Sequence, residues 1–268
     1  MPVTATDLPA DHDPEKPNHM IFWLDKFIGD PTKYTHLKKA FGSNTDPRCE
    51  TWTMLNDKDY DRMLASGDAV SIVFEGVVFL LQAFDDEQDC LNAFEKNQGK
   101  RIFFITSGTM GRSAVPKIIE GHRNVFTDRI TNESYSSVYV FCHNIENQLD
   151  WCMDYLDYVQ TFNHEADLLQ RMTHDIADYF FERGRRILED NEPQEALKHL
   201  HWAKRLYHQY EKLDMKKGTD DHIQTKESKE SRDVNAFIES IEAKLFKDSS
   251  DERGKDSDND EPCGEACS

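Results

Sequence analysis

The chain has 268 residues, with 32 Lys and Arg against 51 Asp and Glu, a formal charge of -19 and 38% hydrophobic residues. That length can bury a sizeable core in one large domain or two modest ones. So acidic a surface repels nucleic-acid phosphates and anionic lipid, which points away from nucleic acid and membrane and towards protein partners that are basic or amphipathic.

Residues 1–18 read as a disordered polar arm, broken by Pro2, Pro9, Pro14 and Pro17. The arm is unlike a secretory or mitochondrial leader. The six cysteines (Cys49, Cys90, Cys142, Cys152, Cys263, Cys267) are therefore expected as reduced thiols in a cytoplasmic protein. The longest apolar run, residues 77–81, is far short of a membrane span. Residues 20–24 form a short apolar strand closed by Asp25. Residues 31–41 follow as a short helix, with Asp30 as its N-cap and Pro31 at its first position. The segment 42–74 is longer than an ordinary connection and reads as an insertion, a hairpin or flap over one sheet edge. It holds a small helix at 57–65 and a strand at 70–74.

Residues 76–84 are strongly apolar and end in Asp85-Asp86, which cap a helix carrying Cys90, Leu91 and Phe94 and stopped by Gly99. Lys100 and Arg101 lead into the unbroken apolar run Ile102-Phe103-Phe104-Ile105, a buried parallel strand. A glycine turn and a helix at 113–119 follow, with Pro116 in its first turn. Residues 137–142 form another strand, 149–155 a helix, and 159–162 the last strand. This alternation predicts an α/β fold: a doubly wound, mostly parallel five-stranded sheet with right-handed helical crossovers.

After His164 the period becomes helical. Leu168, Leu169, Met172, Ile176, Tyr179 and Phe180 mark one helix, and Ala196, Leu197, Leu200, Ala203, Leu206 and Tyr207 a second. A short turn around Asn191-Glu192-Pro193 joins them into a helical hairpin. The expected organisation is an arm (1–18), an α/β domain (19–163, with 42–74 inserted), the hairpin (164–215) and a charged linker (216–231). An amphipathic helix (232–247) and an acidic disordered tail (248–268) complete it.

The strand and helix order over residues 20–162 resembles the receiver-like, flavodoxin-type group of doubly wound domains. That resemblance implies strand order 2-1-3-4-5 and a site at the carboxyl ends of strands one and three. A phosphate-accepting receiver needs an acidic cluster after strand one and an aspartate after strand three. Here Asp25 stands alone and the third strand ends in Thr106-Ser107-Gly108, which argues against phosphoacceptor chemistry. Residues 179–208 resemble one tetratricopeptide repeat, with Gly184, Ala196 and Ala203 at the small positions and Leu200 between them. One repeat cannot bury its own face, so it must pack on the α/β domain, on the last helix or on another molecule. The combination of Phe22-Trp23-Leu24-Asp25, the turn from Ser107 to Arg112, and the strand from Tyr139 to Cys142 resembles an uncharacterised family of animal proteins. There an α/β domain precedes tetratricopeptide repeats or other modules, which implies an interaction or sensing role.

The stretch Ser107-Gly108-Thr109-Met110-Gly111-Arg112-Ser113 is the best candidate site, because backbone N–H groups at a helix start hold anions and Arg112 adds charge. Its glycine spacing and its Arg in place of Lys depart from a nucleotide-binding P-loop. The competing reading is a tight turn in which Gly108 and Gly111 adopt unusual backbone angles. Asp25, Ser107, Gly108, Thr109, Gly111, Arg112 and Ser113 are the candidate ligand-binding residues. Tyr179, Arg183, Trp202 and Tyr207 on the hairpin are the candidate partner-binding residues. Cys142-His143 is no catalytic pair, since neighbours on a strand face opposite ways. No ligand set for a metal is evident in His199, His201, His208 or the Cys263/Cys267 pair, and no cofactor is expected. The leading functional expectation is a cytoplasmic interaction or scaffold module without catalysis. A nucleotide or phosphate sensor or enzyme using residues 107–113, and a structural component of a cytoskeletal or ciliary assembly, are the alternatives.

Overall fold

The computed structural model describes residues 19–43, 53–128, 131–215 and 228–255. The expected N-terminal arm, most of the linker and residues 256–268 lie outside them. One eight-stranded sheet organises the chain. In chain order its strands are β1 (His19–Leu24), β2 (Gly42–Ser43), β3 (Thr53–Met54), β4 (Val70–Phe74), β5 (Val77–Phe84), β6 (Arg101–Ser107), β7 (Val138–Phe141) and β8 (Val159–Phe162). The spatial order is β3-β2-β4-β5-β1-β6-β7-β8. The strands β5-β1-β6-β7-β8 are mutually parallel, and numbered among themselves they run 2-1-3-4-5. The mostly parallel α/β sheet is thus as expected, but eight strands replace the expected five.

The difference comes from residues 42–74. Glu75 (φ 48) and Gly76 (φ 82) both take left-handed backbone angles. That geometry closes a two-residue hairpin whose twist suits antiparallel strands. β4 therefore folds back on β5, and β2 and β3 add to it antiparallel. The insertion widens the sheet instead of covering its edge.

Strands β1 and β6 are buried along almost their whole length, so both faces must be covered. One face presents Met20, Phe22, Leu24, Ile102 and Phe104 to α3 (Glu87–Lys96) and α4 (Gly108–His122). The other presents Ile21, Trp23, Phe103 and Ile105 to α6 (Glu165–Glu189), the first helix of the hairpin. Each fully buried Phe or Ile contributes about 1.5–3 kcal/mol, so an uncovered second face would be costly. The expected need for a packing partner is met twice: the hairpin sits on the sheet, and α8 (Lys229–Lys255) adds Val234, Ile238 and Ile241 to the same core.

Within the hairpin, α6 and α7 (Pro193–Met215) lie antiparallel, with Arg183 Nε 3.2 Å from His199 Nε2 and the Tyr207 hydroxyl donating to Asp178. Gly184 permits the close approach. A Cβ there would lie 2.9 Å from Leu200 Cγ and 3.2 Å from the Ala196 carbonyl oxygen.

Local signals explain most helix ends. Asp86 caps α3 by accepting from the N–H groups of Gln88 and Asp89. Asn56 and Asp59 form a reciprocal capping box at α2 (Asp57–Ser66), and Gly67 ends that helix at φ 69. The expected helix at 31–41 shrinks to α1 (Thr35–Lys39), because the Asp30 carboxylate accepts from the Thr32 N–H and hydroxyl and builds a turn. The N-terminus of α1 is satisfied from afar: Glu165 Oε2, at the start of α6, accepts from the His36 and Leu37 N–H groups at 2.9 Å each. The last helix, α8, exceeds the expected 232–247 at both ends.

Gly184→Ala tests the hairpin packing. Alanine gains about 1 kcal/mol of helix propensity over glycine, but overpacking against a buried Leu and a backbone oxygen costs about 1–3 kcal/mol. The expected outcome is a lower denaturation midpoint, and a higher one would contradict the close approach.

Candidate functional site

The parallel strand order places the switch point between β1 and β6, whose last paired residues are Leu24 and Thr106. Asp25 and Ser107 follow directly, so the structure does bring these two candidates to the same edge. Asp25 is only 2% exposed, and its Oδ1 accepts from the Phe27 N–H at 2.6 Å. Its other tie is the side chain of Tyr34, whose hydroxyl is pushed well up in pKa by burial first, and then by the Asp25 and Glu165 carboxylates. The Tyr34 ring packs edge-on against Trp23 at 5.5 Å and Phe141 at 5.8 Å. It therefore reaches across the carboxyl ends of β1 and β7. Tyr34 holds φ 56, a left-handed angle that costs a non-glycine residue about 1–3 kcal/mol. The two bonds that Glu165 accepts from the next two residues help to hold it there. A tyrosine fills the place where doubly wound folds commonly receive ligands.

The glycine stretch takes a different form from the expected turn. Helix α4 begins at Gly108 rather than at residue 113, and Pro116 falls in its interior. In a helix only the first few N–H groups lack an internal acceptor. Those are at Gly108, Thr109 and Met110; the Gly111, Arg112 and Ser113 N–H groups lie beyond them. Neither Gly108 nor Gly111 has a positive φ, so unusual backbone angles are not what these glycines supply. They supply room. A Cβ on Gly108 would come within 2.8 Å of Gln148 Cδ and 2.9 Å of Cys142 Cβ. One on Gly111 would meet Thr106 Cγ2 at 2.9 Å and Trp151 Cη2 at 3.3 Å. The segment that docks there includes α5 (Leu149–Cys152), continued by a 3-10 turn at Met153–Tyr155.

Arg112 secures the same segment. Its guanidinium donates to both Asp150 oxygens, at 2.9 and 3.0 Å, and to the Asn147 carbonyl at 2.7 Å. The cation expected to meet a phosphate thus clamps the β7–β8 connection. Ser113 lies a turn along α4, where its hydroxyl is 3.4 Å from Lys117 Nζ, and Lys117 in turn pairs with Glu87. Ser107 makes no capping bond with its side chain, and Thr109 is exposed. The site as drawn from the sequence therefore divides: Asp25, Ser107, Gly108 and Thr109 stay at the edge, while Gly111, Arg112 and Ser113 face neighbouring helices.

The nearby thiols are poorly suited to nucleophilic work. Burial pushes Cys142 up, and Cys152 is pushed up to about 12 by burial first and then by Cys142. Both are held as neutral thiols.

Comparison of this chain with protein-family models, with curated proteins and with solved structures finds no match. The site is therefore argued from its own geometry.

The hairpin candidates also separate. Trp202 and Tyr207 are each 2% exposed and belong to the core, so neither offers a surface to a partner. Trp202 packs on Phe180 at 5.0 Å. Tyr179 and Arg183 are partly buried and line a pocket at the opposite, amino edge of the sheet. The sequence reading missed Gln148, Asp150 and Trp151 as the partners of the glycine stretch. The signal was available as one Trp and one Asp in the helix after β7, but nothing local assigns them to α4.

Among the described residues, His174, Asp175 and Asp178 bring one potential metal-ligand atom each within 4.8 Å of one another. Their carboxylates already have protein partners: Asp175 takes Arg171, the Tyr139 hydroxyl and Gln160, and Asp178 takes the Tyr207 hydroxyl. The cluster works as a buttress between α6, the sheet and α7. Asp175 and Asp178 push the His174 imidazolium up to about 9, against the opposing effect of burial. An unfolded histidine titrates near pH 6.5. The raised folded value therefore contributes stability that is fully present below about pH 6.5 and is lost as pH rises through about 9. After allowance for the half-exposed Asp178, the change is about 1–2 kcal/mol. The difference in urea midpoint between the wild type and His174→Gln should shrink across that window, and a pH-independent difference would contradict the pairing.

Proposed function

We propose that this chain is a non-catalytic interaction module whose docking surface is the β7–β8 connection, and whose partner is a basic, amphipathic protein segment. The observation that carries the reading is an exposed ridge. Leu149, Met153 and Leu156 are 44%, 58% and 58% exposed, at a spacing that puts them on one side of a helical path. Glu146, Asp150, Asp154 and Asp157 are exposed between them. Large apolar side chains displayed together mark an interaction site more often than a free surface does. The interleaved carboxylates favour a partner that carries lysine or arginine beside its own apolar anchors. The ridge is also held firmly: Trp151 seats against Gly111, Gln148 against Gly108, and Arg112 grips Asp150. A rigid ridge loses little entropy on binding.

Other features support this reading. The filled switch point and the neutral thiols give little basis for catalysis at the carboxyl edge. The first-turn N–H groups of α4 have no free guanidinium beside them, which weakens the phosphate alternative at residues 107–113. We read α6 and α7 as a tetratricopeptide-type hairpin, supported by the close contact at Gly184 and by the fully buried Ala196 and Ala203. The free Cys90, Cys142 and Cys152 suit a reducing, cytoplasmic setting. No helix among the described residues is long and apolar enough to cross a membrane. The formal charge of -19 favours protein over nucleic acid as the partner.

The test is a titration of the full chain with a helical peptide carrying leucines on one side and lysines on the other. Leu149→Glu/Met153→Glu should weaken binding at least about tenfold, and raising the salt from about 50 to 300 mM should weaken wild-type binding further. Equal affinity for wild type and double variant, with both folded, would sink the reading.

A further inference from the structure

We infer that the pocket at the amino edge of the sheet, built around Arg101, Thr127, Tyr135, Arg183 and Arg186, binds a small phosphate-bearing anion. The pocket lies at the opposite end of the strands from the glycine stretch and shares no residue with the ridge. The inference therefore goes beyond the proposed docking role and stands independently of it.

Arg101 opens β6, where the polar chain enters the buried core. Its guanidinium carbon lies 3.6 Å from the centre of the Tyr135 ring, 5.0 Å from that of Phe103 and 5.7 Å from that of Tyr179. No carboxylate pairs with it. Its Nε is buried and has no hydrogen-bond partner. Its Nη1 reaches the Val125 carbonyl only at 3.4 Å, beyond the usual N–H···O range. Aromatic contacts stabilise such a cation by about 0.5–2 kcal/mol each at best. A buried, unpaired charge with a stranded donor costs several kcal/mol. The aromatic cage holds the guanidinium in position but does not neutralise it.

A second orphan lies in the same wall: Thr127 Oγ1 is buried without a partner. The pocket holds about 380 Å3, within the range of small-ligand sites. Lys100, Arg183 and Arg186 join Arg101 around it, and Asp128 is the one acid among the described residues that line it. That carboxylate is already engaged by Arg186, the Tyr135 hydroxyl at 2.8 Å and the Thr131 N–H at 3.0 Å. It organises the rim and leaves Arg101 uncompensated. Four cations gathered in a chain of charge -19 are not a by-product of composition.

The missing partner must be an anion with several acceptor oxygens. A phosphate dianion fits: its oxygens can accept from the Arg101 Nε, the Thr127 hydroxyl and the arginines at the rim, and guanidinium forks suit that geometry. The Tyr135 and Tyr179 rings leave a flat apolar wall for the organic part of a phosphate ester. The enclosed volume favours a free small molecule over the same group on a protein.

The experiment measures melting of the full chain in pyrophosphate and in a phosphoserine peptide, each at about 10 mM, with chloride at matched ionic strength as reference. Pyrophosphate should raise the melting temperature by about 3 °C or more relative to chloride. The rise should vanish in Arg101→Met and in Arg183→Gln, and persist in Arg112→Gln. Without ligand, Arg101→Met should melt at or above the wild-type temperature, because it removes an unpaired charge and keeps the apolar stem. That result separates a ligand role from a structural one, and Arg183→Gln carries the test should Arg101→Met misfold. The inference is overturned if pyrophosphate adds nothing to chloride or if the rise survives both pocket variants. It is also overturned if Arg112→Gln abolishes the rise or if the phosphopeptide stabilises the chain more than pyrophosphate.

Discussion

The two-sided burial of β1 and β6 constrains everything else. Alternate residues on these strands are large and apolar, so Phe22 and Phe104 look one way while Trp23 and Phe103 look the other. A sheet of this kind cannot rest one face on water. Helices α3 and α4 cover one side, and the other is left for whatever follows the last strand. This makes α6 part of the sheet's own core: Leu168, Met172, Ile176 and Phe180 join Ile21 and Phe103 in one cluster. The hairpin then closes over α6, and α8 over the hairpin.

That arrangement gives the two edges of the sheet opposite characters. At the carboxyl edge, polar and aromatic groups are matched to each other: Tyr34 with Asp25, Arg112 with Asp150, Trp151 with Gly111. The glycine stretch serves as a seat for the β7–β8 connection, whose outer side is the acidic and apolar ridge. At the amino edge, Arg101 is locked among rings without a counter-charge. Satisfied polar groups stabilise, and unsatisfied ones mark where something else is meant to bind.

Much of the fold was legible because it depends on local pattern. The run from Ile102 to Ile105, the cap at Asp86 and the last strand at Val159–Phe162 all follow from periodicity and end signals that act within a few residues. The losses have one common cause, which is a distant partner. Gly-Thr-Met-Gly-Arg-Ser reads as a turn on its own, and becomes the first turns of a helix only when Trp151 and Gln148 pack on its glycines. Trp202 and Tyr207 look like surface aromatics on a helical stripe until α6 and the sheet bury them. Two-residue strands such as β2 and β3 carry no periodicity at all, and are defined by their pairing. Arg101 read as a flanking cation, since nothing in the sequence says that Tyr135 and Tyr179 converge on it.

The central claim is that residues 108–113 form a closed, packed helix start that anchors the β7–β8 connection, and not an open anion-binding loop. Residue-resolved amide hydrogen exchange on the full chain tests it most directly. Amides of Gly111, Arg112 and Ser113 should exchange slowly, in step with the buried amides of β6, because they are held inside α4 beneath Trp151. Exchange of these three amides at the rate of an exposed loop would contradict the account.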